Sequence, residues 1–105
     1  MEEIFINSHN LPKCLSNNEV LELINKIKIG DIDARNEFIE HNIRLVLKRV
    51  CTKFKLIDYD KKELVSIGII GLIKAVDTYD ISHSKFSSYA YKCIDNEILI
   101  FLRNL

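Results

Sequence analysis

The sequence has no tryptophan, one proline and three glycines among its 105 residues. Residues that break helices are therefore scarce, while Leu, Ile, Lys, Glu and Asn are frequent, which favours helix over strand along the whole chain. No run of 18 apolar residues occurs, and Glu2 and Glu3 stand where a secretory signal would be basic. We therefore expect one all-α domain that stays in the cytoplasm and does not contact a membrane.

Cysteine and histidine are also few, with three of each. They are Cys14, Cys51 and Cys93, and His9, His41 and His83. An odd number of widely spaced cysteines fits neither a disulfide framework nor a CxxC metal site, and no histidine has a partner at metal-ligand spacing. We expect reduced thiols, no metal and no cofactor.

The formal net charge is zero, but the charge is unevenly distributed. The segment 44–62 carries seven basic and two acidic side chains, whereas the segment 1–43 carries four basic and eight acidic ones. Such a basic band can form a local electrostatic footprint for nucleic acid. A solvated helix face followed by a solvated loop explains the same band equally well.

Capping signals divide the chain into four helices. "SNNE" at 16–19 is a capping box that opens a helix ending near Gly30, and Asp31 caps a long second helix. "DKKE" at 60–63 is a second capping box and opens a third helix. A fourth follows from about Phe86 to Arg103. Residues 1–15, broken by Pro12, have no clear period, so we expect an N-terminal segment followed by a compact bundle of about four helices over 16–105.

The third helix combines two glycines with exposed isoleucines. Gly68 and Gly71 lie on its inward face, where we expect them to permit a close approach of another helix. The alternative, a loop that cradles a nucleotide, would need a Lys and a Ser or Thr at P-loop spacing, and the sequence has none there. On the remaining arc Ile67, Ile70 and Ile73 alternate with charged side chains. That arc is either a surface for a protein partner or is buried against residues 1–15.

Winding the fourth helix at about 100° per residue separates its side chains into two arcs. Phe86, Ala90, Cys93, Ile94, Ile98 and Phe101 form the inward arc, and Tyr89, Lys92, Asn96, Leu99 and Arg103 form the opposite one. A ring for stacking, cations for phosphate and an amide for a base edge suit a nucleic-acid strand. The pattern alone also fits a solvated helix face.

Three ordered motifs, "GDIDARNEFIEHNIRLV", "KKELVSIGIIGLIKAVDTYD" and "KFSSYAYKCIDNEILIFLR", closely resemble region 2 of bacterial RNA polymerase sigma factors. The resemblance covers residues 11–105 and is strongest to sporulation factors of the sigma-K and sigma-E type. It implies a helical bundle that binds the clamp helices of the largest polymerase subunit. The bundle would also recognise and melt the promoter −10 element, chiefly on the single non-template strand.

The resemblance also assigns roles to residues. The polymerase surface would be the third helix, with Glu63, Ser66, Ile67, Ile69, Ile70 and Ile73. The melting positions fall at Phe86, Tyr89, Lys92 and Cys93, the duplex-reading positions at Asn96 and Leu99, and Arg103 shares their face. The DNA backbone would be faced by Arg44, Lys48, Arg49 and Lys53.

Three departures from the family pattern limit these expectations. Housekeeping sigma factors carry two tryptophans where this chain has Lys92 and Cys93, so melting should be weaker and more dependent on promoter sequence. Because the sequence given ends at Leu105, we expect the helix-turn-helix domain that reads the −35 element to be missing, as in an isolated domain, half of a split factor or a truncated relative. The loop between Asp80 and Phe86 is one residue shorter than usual.

Two classes of function therefore stand. The first is a promoter-recognition module of a sporulation-type sigma factor that acts within the polymerase holoenzyme. The alternative is a truncated interaction module that binds polymerase or an anti-sigma factor without opening DNA. An enzyme is not expected, because no paired carboxylates, activated nucleophile or metal cluster share one face.

Overall fold

The computed structural model describes residues 14–82 and 85–105. Within these ranges the chain forms four helices and no strand, which confirms the expected all-α fold: α1 (Asn17–Lys28), α2 (Ile32–Thr52), α3 (Lys61–Thr78) and α4 (Phe86–Arg103). Most of the N-terminal segment 1–15 lies outside the described residues. None of the helices in the described part combines the length and apolarity needed to cross a bilayer.

The first two helices begin as the sequence predicts. The Ser16 hydroxyl accepts from the Glu19 N–H at 3.2 Å, and the Ser16 N–H donates to the Glu19 carboxylate at 3.0 Å, so the capping box is formed. Gly30 adopts a φ of +92°, a left-handed conformation that other residues rarely adopt. This turn lets Asp31 cap α2 by accepting from the Ala34 N–H at 3.0 Å.

The start of α3 differs in detail from its prediction. Asp60 is the N-cap, but its carboxylate accepts from the backbone N–H of Lys62 at 3.0 Å. The predicted capping box with Glu63 is therefore wrong, because the Asp60 side chain closes a shorter turn. The Glu63 carboxylate instead lies beside Tyr59, and burial together with this carboxylate raises the Tyr59 pKa.

Helix α2 is the spine of the bundle and packs against the other three helices. Phe38, Val46 and Val50 on α2 are at most 1% exposed. They meet fully buried side chains from α3 and α4, which are Leu64, Leu72, Ala75, Ala90, Ile94 and Ile98. Phe54, just beyond the end of α2, closes the core at 2% exposure.

The glycines of α3 set its distance from its neighbours, as the sequence predicts. A Cβ on Gly71 would lie 2.6 Å from the Cys93 carbonyl oxygen and 2.7 Å from the Ile94 Cα, both backbone atoms of α4. A Cβ on Gly68 would lie 2.6 Å from a methyl group of Val46 on α2. The α3–α4 contact thus depends on the missing side chain at position 71, and it fixes the position of α4.

Candidate nucleic-acid interface and partner surface

The two arcs predicted for α4 are present in the structure. On the inward arc Phe86 is 7% exposed, while Ala90, Ile94 and Ile98 are fully buried. Four side chains on the opposite arc are exposed, which we call the α4 stripe: Lys92, Asn96, Leu99 and Arg103. Leu99, the aliphatic member of the stripe, leaves 41% of its surface exposed. The stripe therefore offers two cations, one amide and one aliphatic side chain on a rigid helix.

Tyr89, predicted on the same face, is half-buried at the edge of the stripe. Its hydroxyl lies 2.6 Å from the Thr78 hydroxyl at the end of α3. The single Thr78 hydroxyl proton is donated to the Lys74 carbonyl oxygen at 2.8 Å, so the Tyr89 hydroxyl is the donor to Thr78. The Tyr89 ring also lies 5.8 Å from the Tyr79 ring, centroid to centroid. Its ring is therefore anchored to α3 and offers only part of its surface.

Phe86 lies one layer deeper. Its ring centroid is 4.7 Å from that of Phe38 and 5.2 Å from that of Tyr79, in edge or tilted contacts. Phe86 therefore supports Tyr79, which in turn contacts Tyr89. Direct contact between Phe86 and DNA stays a prediction.

Cys93 lies at the border between the two arcs and is half-buried, with its backbone against Gly71. Burial raises the pKa of its thiol, so the neutral form is favoured. A neutral thiol offers a base only a small apolar contact, and none of the stacking area that an indole would supply.

The four cations predicted to face DNA differ in their surroundings. Lys48 is exposed and makes no ion pair with any residue that the structure describes, and Arg44 is half-buried. Arg49, in the last turn of α2, and Lys53, at its C-cap, are bonded to one carboxylate of α4. The basic band is therefore partly neutralised within the fold.

That carboxylate is Asp95, with a side chain that is only 10% exposed. Arg49 donates to it through Nε at 2.8 Å and Nη2 at 2.9 Å, and Lys53 donates through Nζ at 3.0 Å. The Arg49 guanidinium also lies 4.5 Å from the centroid of the Tyr91 ring. Burial acts to raise the Asp95 pKa, but the hydrogen bonds and charges of Arg49 and Lys53 outweigh it and hold the pKa below its usual value.

Sequence reasoning missed Asp95. On a helical wheel of about 100° per residue Asp95 lies about 60° from Ile98, at the edge of the inward arc, where a carboxylate needs a partner. Arg49 and Lys53 are spaced four residues apart, so they share a face of α2. These two signals together could have indicated the pairing, but only the packing of α2 against α4 brings the three residues together.

The surface predicted for polymerase on α3 is mixed in exposure. Glu63, Ser66 and Ile70 are exposed, and Ile67, Ile69 and Ile73 are half-buried. Ile70 leaves 45% of its surface exposed, whereas Ile67 and Ile69 pack partly against the core. We call these six residues the α3 surface. The alternative, burial against residues 1–15, concerns a segment that is mostly outside the described ranges.

Comparisons with known proteins identify the family. The sequence model of the Sigma-70 region 2 family matches residues 38–105. The chain is 40% identical over 102 residues to the RNA polymerase sigma-28 factor of Bacillus thuringiensis subsp. kurstaki, covering 96% of this chain and 43% of the relative. It is 44% identical over 94 residues to the sigma-E factor of Clostridium acetobutylicum, covering 89% of this chain and 40% of that protein.

A third relative is the RNA polymerase sigma-K factor of Bacillus subtilis. It is 39% identical over 97 residues, which cover 91% of this chain and 33% of the relative. The chain thus spans between a third and just over two fifths of the length of these relatives. The family match covers well over half of the chain and includes α3, α4 and most of α2. The chain therefore belongs to the Sigma-70 region 2 family.

Proposed function

We propose that this chain is the promoter-recognition module of a sporulation-type sigma factor. It binds core RNA polymerase through the α3 surface and recognises and melts the promoter −10 element through the α4 stripe. The observation that carries the proposal is the stripe itself, because its exposed cations and amide lie beside the anchored Tyr89 ring. Its site of action is the cytoplasm, where transcription takes place.

Polymerase binding rests on the apolar component of the α3 surface. Ile70 is a large aliphatic side chain, and it shares an exposed arc with Glu63 and Ser66. An apolar centre with a polar rim is the usual anatomy of a protein interface. The partner that the family resemblance supplies is the pair of clamp helices in the largest polymerase subunit.

DNA reading rests on the α4 stripe. Asn96 is exposed and can form a bidentate pair with the N6 and N7 atoms of adenine. Lys92 and Arg103 can contact phosphates at either end of the stripe, and Leu99 offers apolar contact to a base. On α2, Lys48 and Arg44 extend the phosphate-facing surface.

Melting needs more energy than this face supplies. Unstacking costs a few kcal/mol for each base step, and stacking on an aromatic side chain returns roughly 1–3 kcal/mol per base. Tyr89 is one ring, and it is partly covered by its contacts with Thr78 and Tyr79. The polymerase must therefore supply the rest, so the chain acts as part of the holoenzyme and depends strongly on promoter sequence.

Crosslinking tests the proposal directly. Single-stranded DNA that carries the −10 element of a sporulation promoter is photocrosslinked to the chain in the presence of core polymerase. The variant Lys92→Ala/Asn96→Ala removes two exposed side chains and should preserve the fold. Its matched control, Asn25→Ala/Lys28→Ala, likewise removes one amide and one lysine amine, but from exposed positions of α1.

The expected result is crosslinking by the wild type and the α1 control that the α4 variant largely loses. Equal crosslinking by all three proteins would refute the assignment of DNA reading to α4. If polymerase binding persisted in that case, the chain would be an interaction module that occupies polymerase, or that binds an anti-sigma factor, without opening DNA.

A further inference from the structure

We propose that Asp95 is a specificity-determining residue for DNA binding. By holding Arg49 and Lys53 within the fold, Asp95 weakens sequence-independent binding to the phosphate backbone and leaves discrimination to the α4 stripe. The inference rests on the proposed function, because it assumes that this face of α2 and α4 meets DNA.

The geometry of the cluster supports this role. Arg49 presents two N–H groups in parallel to the two oxygens of Asp95, which is the fork that guanidinium groups also offer to phosphate. Lys53 donates to the same carboxylate at 3.0 Å. Tyr91 lies against the guanidinium at 4.5 Å and helps to hold it in this orientation. The Asp95 carboxylate thus occupies the donors that a phosphate would otherwise use.

Exposure shows why this pairing affects binding as well as packing. The carboxylate is 10% exposed, but the Arg49 and Lys53 side chains are 30% and 45% exposed. The two cations therefore lie at the surface near Lys48, with Arg49 in the last turn of α2 and Lys53 at its C-cap. Their positive charge is offset by a carboxylate that cannot easily move away. Arg49, Lys53 and Asp95 together carry a net charge of +1, whereas the two cations without Asp95 would carry +2.

Salt dependence measures this difference. Each phosphate neutralised on duplex DNA contributes about −0.9 to the slope of log K against log salt, so one more contact makes affinity fall about threefold further between roughly 50 and 200 mM salt. A residue with a purely structural role would change stability but not this slope.

The experiment measures binding of the 105-residue chain to a random-sequence duplex by fluorescence anisotropy across that salt range. Asp95→Asn keeps the shape of the side chain and removes its charge. Glu97→Gln is the matched control, because Glu97 is on the same helix but pairs with Lys74 on α3. We expect Asp95→Asn to steepen the slope by one to two units and Glu97→Gln to change it by much less. Equal slopes for the two variants would overturn the proposal.

A second pair of variants covers the case in which Asp95→Asn does not fold. Lys48→Met removes one cation of α2 and Lys53→Met removes the cation at its C-cap, but only Lys53 is held by Asp95. The negative slope of log K against log salt should become shallower by about one unit for Lys48→Met and by clearly less for Lys53→Met. Equal effects, including no effect of either, would overturn the role of Asp95. Crosslinking to the −10 strand with core polymerase then shows independently whether the proposed function stands.

Discussion

Replacing Gly71 by alanine tests how closely α3 and α4 must approach. The added methyl would lie 2.6 Å from the Cys93 carbonyl oxygen, 2.7 Å from the Ile94 Cα and 2.9 Å from the Cys93 carbonyl carbon. Ordinary contacts of this kind are 3.4–4 Å, so the helices must separate by about 0.8 Å or more. The atoms in the way belong to the backbone, which cannot rotate aside as a side chain can.

Two opposing terms set the size of the effect. Alanine gains about 1 kcal/mol over glycine in a helix interior, and overpacking a close-packed site costs typically 1–3 kcal/mol. Because the obstruction is backbone, we expect a cost at or above the upper end of that range. The free energy of unfolding should therefore fall by about 2 kcal/mol or more, with a melting temperature lower by about 4–8 °C per kcal/mol.

Urea denaturation followed by far-UV circular dichroism measures this loss. Gly68→Ala is the control, because its nearest obstruction is a methyl group of Val46 rather than backbone. We expect a smaller loss there, since the same gain in helix propensity offsets more of the clash. A Gly71→Ala variant as stable as the wild type would show that α3 and α4 are not held by this contact.

Three further outcomes are expected. Ile70→Glu should change stability by no more than about 0.5 kcal/mol and weaken binding to core polymerase in a competition assay, whereas Ile67→Glu, at a half-buried site, should also destabilise the fold. Tyr89→Phe should lower the free energy of unfolding by about 0.5–1.5 kcal/mol, because its hydroxyl no longer donates to Thr78, while crosslinking to the −10 strand is retained. Because the Asp95 pKa is lowered in the folded state, the folded state binds fewer protons than the unfolded state does. The stabilisation that ionised Asp95 provides is therefore complete above the ordinary carboxylate pKa of about 3.9, and it is lost as pH falls through the lowered pKa of the folded state. The stability gap between wild type and Asp95→Asn, measured by urea denaturation, should therefore narrow below about pH 4; a constant or widening gap would contradict this account.

Much of the fold could be predicted because its signals are local. The capping box at Ser16 and Glu19, the turn at Gly30 and the cap at Asp31 all involve residues within three or four positions of one another. The same is true of the division of α4 into buried and exposed arcs, which follows from the period of the helix. Even the glycines of α3 could be interpreted, since two of them in a helix interior need a packing reason.

The electrostatics of the site could not be predicted, because they depend on contacts between distant positions. Asp95 meets Arg49 across 46 positions of sequence, and the strength of that pairing depends on burial that only the packed bundle creates. The anchoring of Tyr89 by Thr78 depends likewise on where α3 ends relative to α4. The sequence therefore predicted where the cations lie, but not that Asp95 offsets part of their positive charge.

The most direct test of the central claim is a selection of DNA by the reconstituted complex. A random pool of single-stranded DNA is incubated with core polymerase and the chain, the bound strands are recovered and sequenced, and the selection is repeated with Lys92→Ala/Asn96→Ala. If the α4 stripe reads the −10 element, the wild type enriches a defined motif and the variant does not, although both remain bound to polymerase. The same motif enriched by both proteins, or no motif with either, would contradict the account.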